Sequence, residues 1–368
     1  MAVTTEITRI QQAKSDIAAA AMYRNSLTIH ADNLISTYPS FLLTLDGYAN
    51  YIPRTNEVVH LKNGASFYYD RLCAVPLYFT SESAFYIKIY KTGTLPTKTI
   101  QYQITSNFDS ATKQPIFDTV GWTDWDDTIV AYRQVSANSA IGFRSNDTST
   151  MCNYINAYRT FQFSSSTSFN SPVSGTLNYT NAPVYAGGNI MSLMNWSRTI
   201  STQYCFYQLF RNAASLKSAP CLPATISNTG IYCYYKMFQQ CIGLEYPPIL
   251  PSKSLSVACY REMFSQCRCL KRFPDLPAVN PADTAYYQMF YGCKRPNRIK
   301  CMTYEDDGNG SPTTTMSTCF TDWLIYTCPQ GLIVHPRPDL LSGISSTTVT
   351  PSGWELKSHE YNMSDYTN

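Results

Sequence analysis

The chain has 368 residues and a mass of 41.5 kDa, with 28 Lys plus Arg against 25 Asp plus Glu and a formal net charge of +3. That length suggests two or three domains. The charge balance lacks the basic excess of a nucleic-acid binder, no apolar run approaches the roughly 18 residues of a membrane span, and an aromatic content of 14% argues against disorder. What remains is a neutral, hydroxyl-rich chain with 29 Tyr, the composition of an ordinary β-rich domain or of an adhesive, fibre-like surface.

In chain order, residues 4–22 predict a helix that Thr4 or Thr5 can cap. Ile10, Ala13, Ile17 and Ala20 fall at heptad spacing and, with Ile7, form the expected anchor or oligomer interface. A second short helix is expected from Asp32 to Ile35, stopped by Pro39. Glu6, Arg9, Lys14 and Asp16 interrupt the first twenty residues, so no export signal is expected and the chain reads as folded in a cytosol. Ile7, Ile10, Gln11, Ala13, Lys14, Asp16 and Ile17, followed by Leu45, Tyr48 and Ile52, resemble the N-terminal module of phage and prophage tail or fibre proteins. The resemblance implies that residues 1–56 are a helical virion anchor.

Residues 57–185 predict a β-sandwich. Phe85, Ile87 and Ile89 alternate with polar residues, as do Ile100, Tyr102 and Ile104, and then Phe161 and Phe163. Between strands lies Trp122-Thr123-Asp124-Trp125-Asp126-Asp127. Two indoles with three carboxylates could bind a sugar or calcium; a hairpin with buried Trp and a solvated acidic turn fits the same residues. Trp122 and Trp125 are therefore candidate ligand contacts.

The strongest signal is a repeat over residues 186–336. Phe210, Phe238, Phe264 and Phe290 recur at a nearly constant interval, inside the range of leucine-rich repeats. Leu209, Met237, Met263 and Met289 precede them, and Phe206, Tyr234, Tyr260 and Tyr286 stand four residues before. Leu216, Leu244 and Leu270 follow, then a Leu-Pro pair in each of these copies. This pattern predicts one short helix at Y-x-x-M-F and one short strand near the Leu per copy, stacked into a solenoid because a single unit cannot bury its apolar face. The fourth copy carries Pro296 and Lys300 in place of Leu and Pro, which suits a terminal repeat.

The 13 Cys fit the same repeat. Ala213 stands where later copies have Cys241, Cys267 and Cys293, and Ala285 where earlier ones have Cys205, Cys233 and Cys259. A metal ligand or disulfide cannot exchange with Ala, whereas a small buried position can. Phe210, Phe238, Phe264, Phe290, Cys241, Cys267 and Cys293 are the expected repeat core. Tyr207, Tyr235 and Tyr287, offset from the core rings, are candidate ligand contacts.

The repeat resembles the BspA-like leucine-rich repeats of Bacteroidales and their phages. Gly188-Asn189-Ile190-Met191-Ser192-Leu193 looks like that family's lead-in, and Pro351-Ser352-Gly353-Trp354 like its closing segment within a cap and tail at 337–368. The resemblance implies recognition or adhesion surfaces for varied partners. No nucleophile elbow, dinucleotide fingerprint or P-loop is present, and His30, His60, His335 and His359 are scattered. Glu305–Gly310 faintly resembles a calcium loop but lacks its distal Glu.

The expected fold class is mixed α+β: a helical anchor, a β-sandwich and a BspA-like leucine-rich-repeat solenoid with a C-terminal cap. The expected function is a non-enzymatic bacteriophage virion protein of head- or tail-fibre type without cofactor or metal, assembled in the host bacterial cytoplasm as a dimer or trimer. Its expected partners are other capsid or tail proteins and a host-surface glycan or protein, with neither nucleic acid nor membrane. A BspA-like bacterial surface adhesin is the alternative.

Overall fold

The structure, a computed structural model, describes residues 75–357 except 111–112, 127–130, 153–155, 173, 175–176, 178–181, 223–224, 279, 302, 304–317 and 336–351. The expected anchor, with Ile7, Ile10, Ala13, Ile17 and Ala20, and the acidic loop 305–310 lie outside the described residues.

The expected α+β class is corrected. The described residues are nearly all-β. They form sixteen strands: β1 Leu77–Thr80, β2 Phe85–Lys91, β3 Gln101–Thr105, β4 Thr123–Asp124, β5 Tyr132–Val135, β6 Ala140–Arg144, β7 Arg159–Ser164, β8 Val184–Gly187, β9 Thr199–Ile200, β10 Leu216–Ser218, β11 Thr225–Ile226, β12 Ser254–Leu255, β13 Asn280–Pro281, β14 Arg298–Lys300, β15 Gly331–Val334 and β16 Trp354–Lys357. The 3-10 turn Ile190–Met194 is capped by Asn189, which accepts from the Met191 amide. Among the described residues no helical anchor and no helix–strand solenoid is identified.

Two sheets meet over an aromatic core. One has the order β10-β8-β1-β6-β3-β4, the other β5-β2-β7. Strand β2 keeps the expected alternation: Phe85, Ile87 and Ile89 are buried, with the intervening side chains half-buried. Phe79 of β1 meets Phe161 and Phe163 of β7, each at 5.0 Å between ring centres. Such edge and tilted contacts suit ring quadrupoles better than face-to-face overlap. Strand β8 crosses the expected boundary at 185 and 186, pairing antiparallel with β1 and parallel with β10. One contiguous core therefore runs from the sheets into the repeats.

The Y-x-x-M-F segments are turns, not helices. Tyr232, Lys236 and Gln240 have φ near +57°, +55° and +60°, and Ala258, Glu262 and Gln266 repeat the pattern one copy later. A left-handed residue at every fourth position cannot continue a right-handed helix. The backbone bonds close another way. Within a copy, the amides of Tyr235, Met237, Gln239 and Cys241 donate to carbonyls three residues back. The amides between them, of Tyr234, Lys236, Phe238 and Gln240, donate to Cys259, Arg261, Met263 and Ser265 of the next copy. Each left-handed residue costs roughly 1 kcal/mol, and the pairing of these amides offsets that strain.

Stacking of the copies aligns their side chains in columns. Phe210, Phe238, Phe264 and Phe290 lie ring over ring at 5.3, 5.5 and 5.8 Å. Phe206, Tyr234, Tyr260 and Tyr286 form a second buried column at 5.7, 5.7 and 6.3 Å. These separations are somewhat wider than the roughly 4.8 Å spacing of hydrogen-bonded strands. The expectation of a strand near each Leu holds only for Leu216, in β10. The short parallel pairs β9–β11 and β12–β13 fall instead before the turns.

The fourth copy is not terminal. Amides of Tyr286, Gln288, Phe290 and Gly292 donate to Cys319, Thr321, Trp323 and Ile325, and Phe320 stacks on Tyr286 at 5.4 Å. This fifth turn follows after a longer interval than the others, with Trp323 and Leu324 at the Met and Phe positions, so it escapes a search at the shorter period. The parallel sheet β14-β15-β16 takes its first strand from before this turn and the other two from after it, and Trp354 donates from its indole nitrogen to the Cys328 carbonyl at 2.9 Å.

Candidate functional site

The half-buried face of the turn stack is built by side chains that alternate with the core columns. Three residues before each core Phe stand Tyr207, Tyr235, Arg261 and Tyr287. Tyr207 and Tyr235 stack at 5.1 Å with 20° between ring planes. Tyr204 and Tyr232, beside them, are nearly parallel at 5.2 Å and 3°. Each pair meets the other edge to face, so four phenols form one block. The block continues to Tyr158 on the sheet side, 5.7 Å from Tyr207.

Arg261 occupies the next place in the column. Its guanidinium lies 4.2 Å from the Tyr287 ring centre and 5.9 Å from that of Tyr235. The largely buried Glu262 beside it accepts from Gln239 at 2.8 Å and from the Tyr235 hydroxyl at 3.3 Å, and faces Lys236 at 3.3 Å. Burial, and then the Glu262 charge, pushes the Tyr235 phenol well above its ordinary value. The face thus offers stacked rings, phenol hydroxyls and one planar cation held between rings. That set suits the ring faces and hydroxyls of sugars or the side chains of a protein partner.

A charge ladder flanks it. Glu245 bridges Lys271 at 2.7 Å and Lys217 at 3.2 Å, each from a neighbouring copy. Burial would raise the Glu245 carboxyl, but the two ammonium groups outweigh it and hold the acid below its usual range.

The expected pair Trp122 and Trp125 is divided. Trp125 is only 4% exposed and wedged between Tyr102 and Phe143 at 5.4 and 5.7 Å. It is corrected to a core residue. Its neighbour three positions back points the other way. Half-buried Trp122 lines a cleft of about 330 Å³ with Phe117, Asp118, Arg144 and Trp196. The Arg144 guanidinium sits 4.3 Å over the Trp122 ring. Trp196, 41% exposed and at a left-handed φ of 56°, was not among the expected contacts. Asp124 accepts from Gln101 at 3.0 Å, and among the described residues no group of three or more His, Cys, Asp or Glu is placed to hold a metal ion.

The core Cys have a more specific place than small size alone requires. The thiols of Cys241, Cys267 and Cys293 donate to the carbonyls of Phe210, Phe238 and Phe264 in the preceding copy, at 2.9, 3.1 and 3.2 Å. Burial pushes the Cys293 thiol up to about 12. These are inert packing thiols that also serve as weak donors.

Among the described residues no helix is long and apolar enough to cross a membrane. Comparison with protein-family models, with curated proteins and with solved structures finds no match.

Proposed function

We propose that this chain is a non-enzymatic bacteriophage virion protein of fibre type, whose half-buried Tyr and Arg face contacts a host-surface glycan or protein or a neighbouring virion subunit. The observation that carries this reading is the column Tyr207–Tyr235–Arg261–Tyr287 with the phenols beside it. Rings already stacked against one another lose little side-chain freedom on binding, and their polar edges remain available. The resemblance of residues 1–56 to phage tail and fibre modules is the other support.

Immunogold electron microscopy of a producing culture, with an antibody against residues 186–336, tests the proposal. Gold on particles is the expected result, and its position assigns head or tail. Gold on the cell envelope without particles overturns it in favour of a surface adhesin. Tyr235→Ala and Arg261→Ala should then reduce attachment of particles while leaving particle assembly intact, if the face meets the host.

A further inference from the structure

We infer that Cys152 and Cys205 are a disulfide-forming pair that staples the sheets to the turn stack when the chain meets an oxidising environment. The two residues face each other across an antiparallel bridge, and their sulfurs lie 2.7 Å apart. Directly opposed antiparallel residues have Cα atoms roughly 4.5–5.5 Å apart, inside the range a disulfide spans without backbone movement. Backbone bonds tie the two segments together beside the pair: the Phe206 amide donates to Met151 at 3.0 Å and the Phe161 amide to Leu209 at 2.9 Å.

Although the column of Cys205 exchanges with Ala at Ala285, its first member faces a partly exposed thiol that lies outside the repeat. Cys152 is partly exposed, whereas Cys205 is fully buried. The hydrogen bond from Cys205 lowers the Cys152 thiol below its ordinary value, and the same contact with burial raises Cys205. Cys152 is thus the attacking sulfur and Cys205 the resolving one. Cys233 and Cys259 also neighbour each other, but both are fully buried and closed to a small oxidant.

The oxidant is a low-molecular-weight disulfide. The Cys152 thiolate attacks one of its sulfurs, forming a mixed disulfide and expelling one small thiolate. Cys205 then attacks the Cys152 sulfur, its proton leaving with the second small thiol. Two protein thiols are oxidised and one small disulfide is reduced to two thiols. The cross-link closes a separation of 53 residues between the loop before β7 and the first copy of the repeat. It does not depend on which surface the chain binds.

The test uses the full chain, purified under reductant and then incubated with oxidised glutathione. After alkylation, peptide mapping without reduction should find Cys152 linked to Cys205 and two fewer free thiols. The melting temperature should rise by several degrees and fall back on adding reductant. The partly exposed site tolerates Cys152→Ser, which should fold, keep the Cys205 thiol and show no shift. A stable glutathione adduct at Cys152 with Cys205 still free overturns the inference, as does an unchanged thiol count. Particle labelling on the cell envelope would instead sink the virion reading and leave this pair untouched.

Discussion

The guanidinium of Arg261 lies 4.2 Å from the ring centre of Tyr287, in the place where the two preceding copies set a tyrosine. A planar cation takes the place of a ring and keeps the column continuous. Arg261→Ala removes that contact and leaves Glu262 without its 3.6 Å neighbour. Because the site is partly solvated, the loss should be about 1 kcal/mol. Arg261→Lys should not restore it, since an ammonium cannot stack as a plane, whereas Arg261→Tyr should recover part of it. Urea unfolding midpoints of the three variants check the order.

Tyr234 sits in the second core column between Phe206 and Tyr260. Its hydroxyl is buried and has no hydrogen-bond partner among the described residues. Phe already fills the equivalent place at Phe206 and Phe320. Tyr234→Phe should therefore be neutral or stabilise by up to about 1 kcal/mol, because an unmade bond to a buried hydroxyl is lost at no cost. A destabilisation of several kcal/mol in denaturant would show that the hydroxyl is satisfied.

Burial raises the Cys293 thiol from an ordinary 9.0 to about 12. The unfolded chain loses this proton near pH 9 while the folded chain keeps it. Stability is therefore fully present below pH 9 and declines as pH rises toward 12, by about 1.4 kcal/mol per pH unit for this group. Cys293→Ala should lower stability at pH 7 through the lost contacts, yet flatten its fall between pH 9 and 12 relative to the parent. Denaturant titrations of both chains across that window measure the difference in slope.

Gly188 has a φ of +74°, and a Cβ there would overlap the Pro76 carbonyl oxygen. The backbone cannot retreat, because the Asn189 amide donates to Val75 and the Cys221 amide to Gly188, both at 2.8 Å. Gly188→Ala should cost about 3 kcal/mol or more, read as lost soluble yield or a large drop in unfolding midpoint. Gly121→Ala is the comparison: its φ of +81° carries strain, but its nearest neighbour is a flexible Gln103 side chain at 3.4 Å, so its cost should be smaller.

The repeat register was legible in the residues alone. A regular period places like upon like, so the columns of Phe210 and Phe206, the buried Cys and the half-buried Tyr207 and Tyr235 all follow once the copies stack. The alternation in β2 was equally readable, because side chains on a strand change faces at each step. The local path of the chain was not. Helix and left-handed turn share the Y-x-x-M-F pattern, and the choice rests on amides that bond the neighbouring copy, such as Tyr234 to Cys259. Nor could spacing separate Trp122 from Trp125, since which indole enters the core depends on Tyr102 and Phe143 from other strands. The contact of Cys152 with Cys205, 53 residues apart, belongs to the same class. Periodicity carries information that is repeated along the chain, whereas a single contact between distant segments exists only where the fold closes them together.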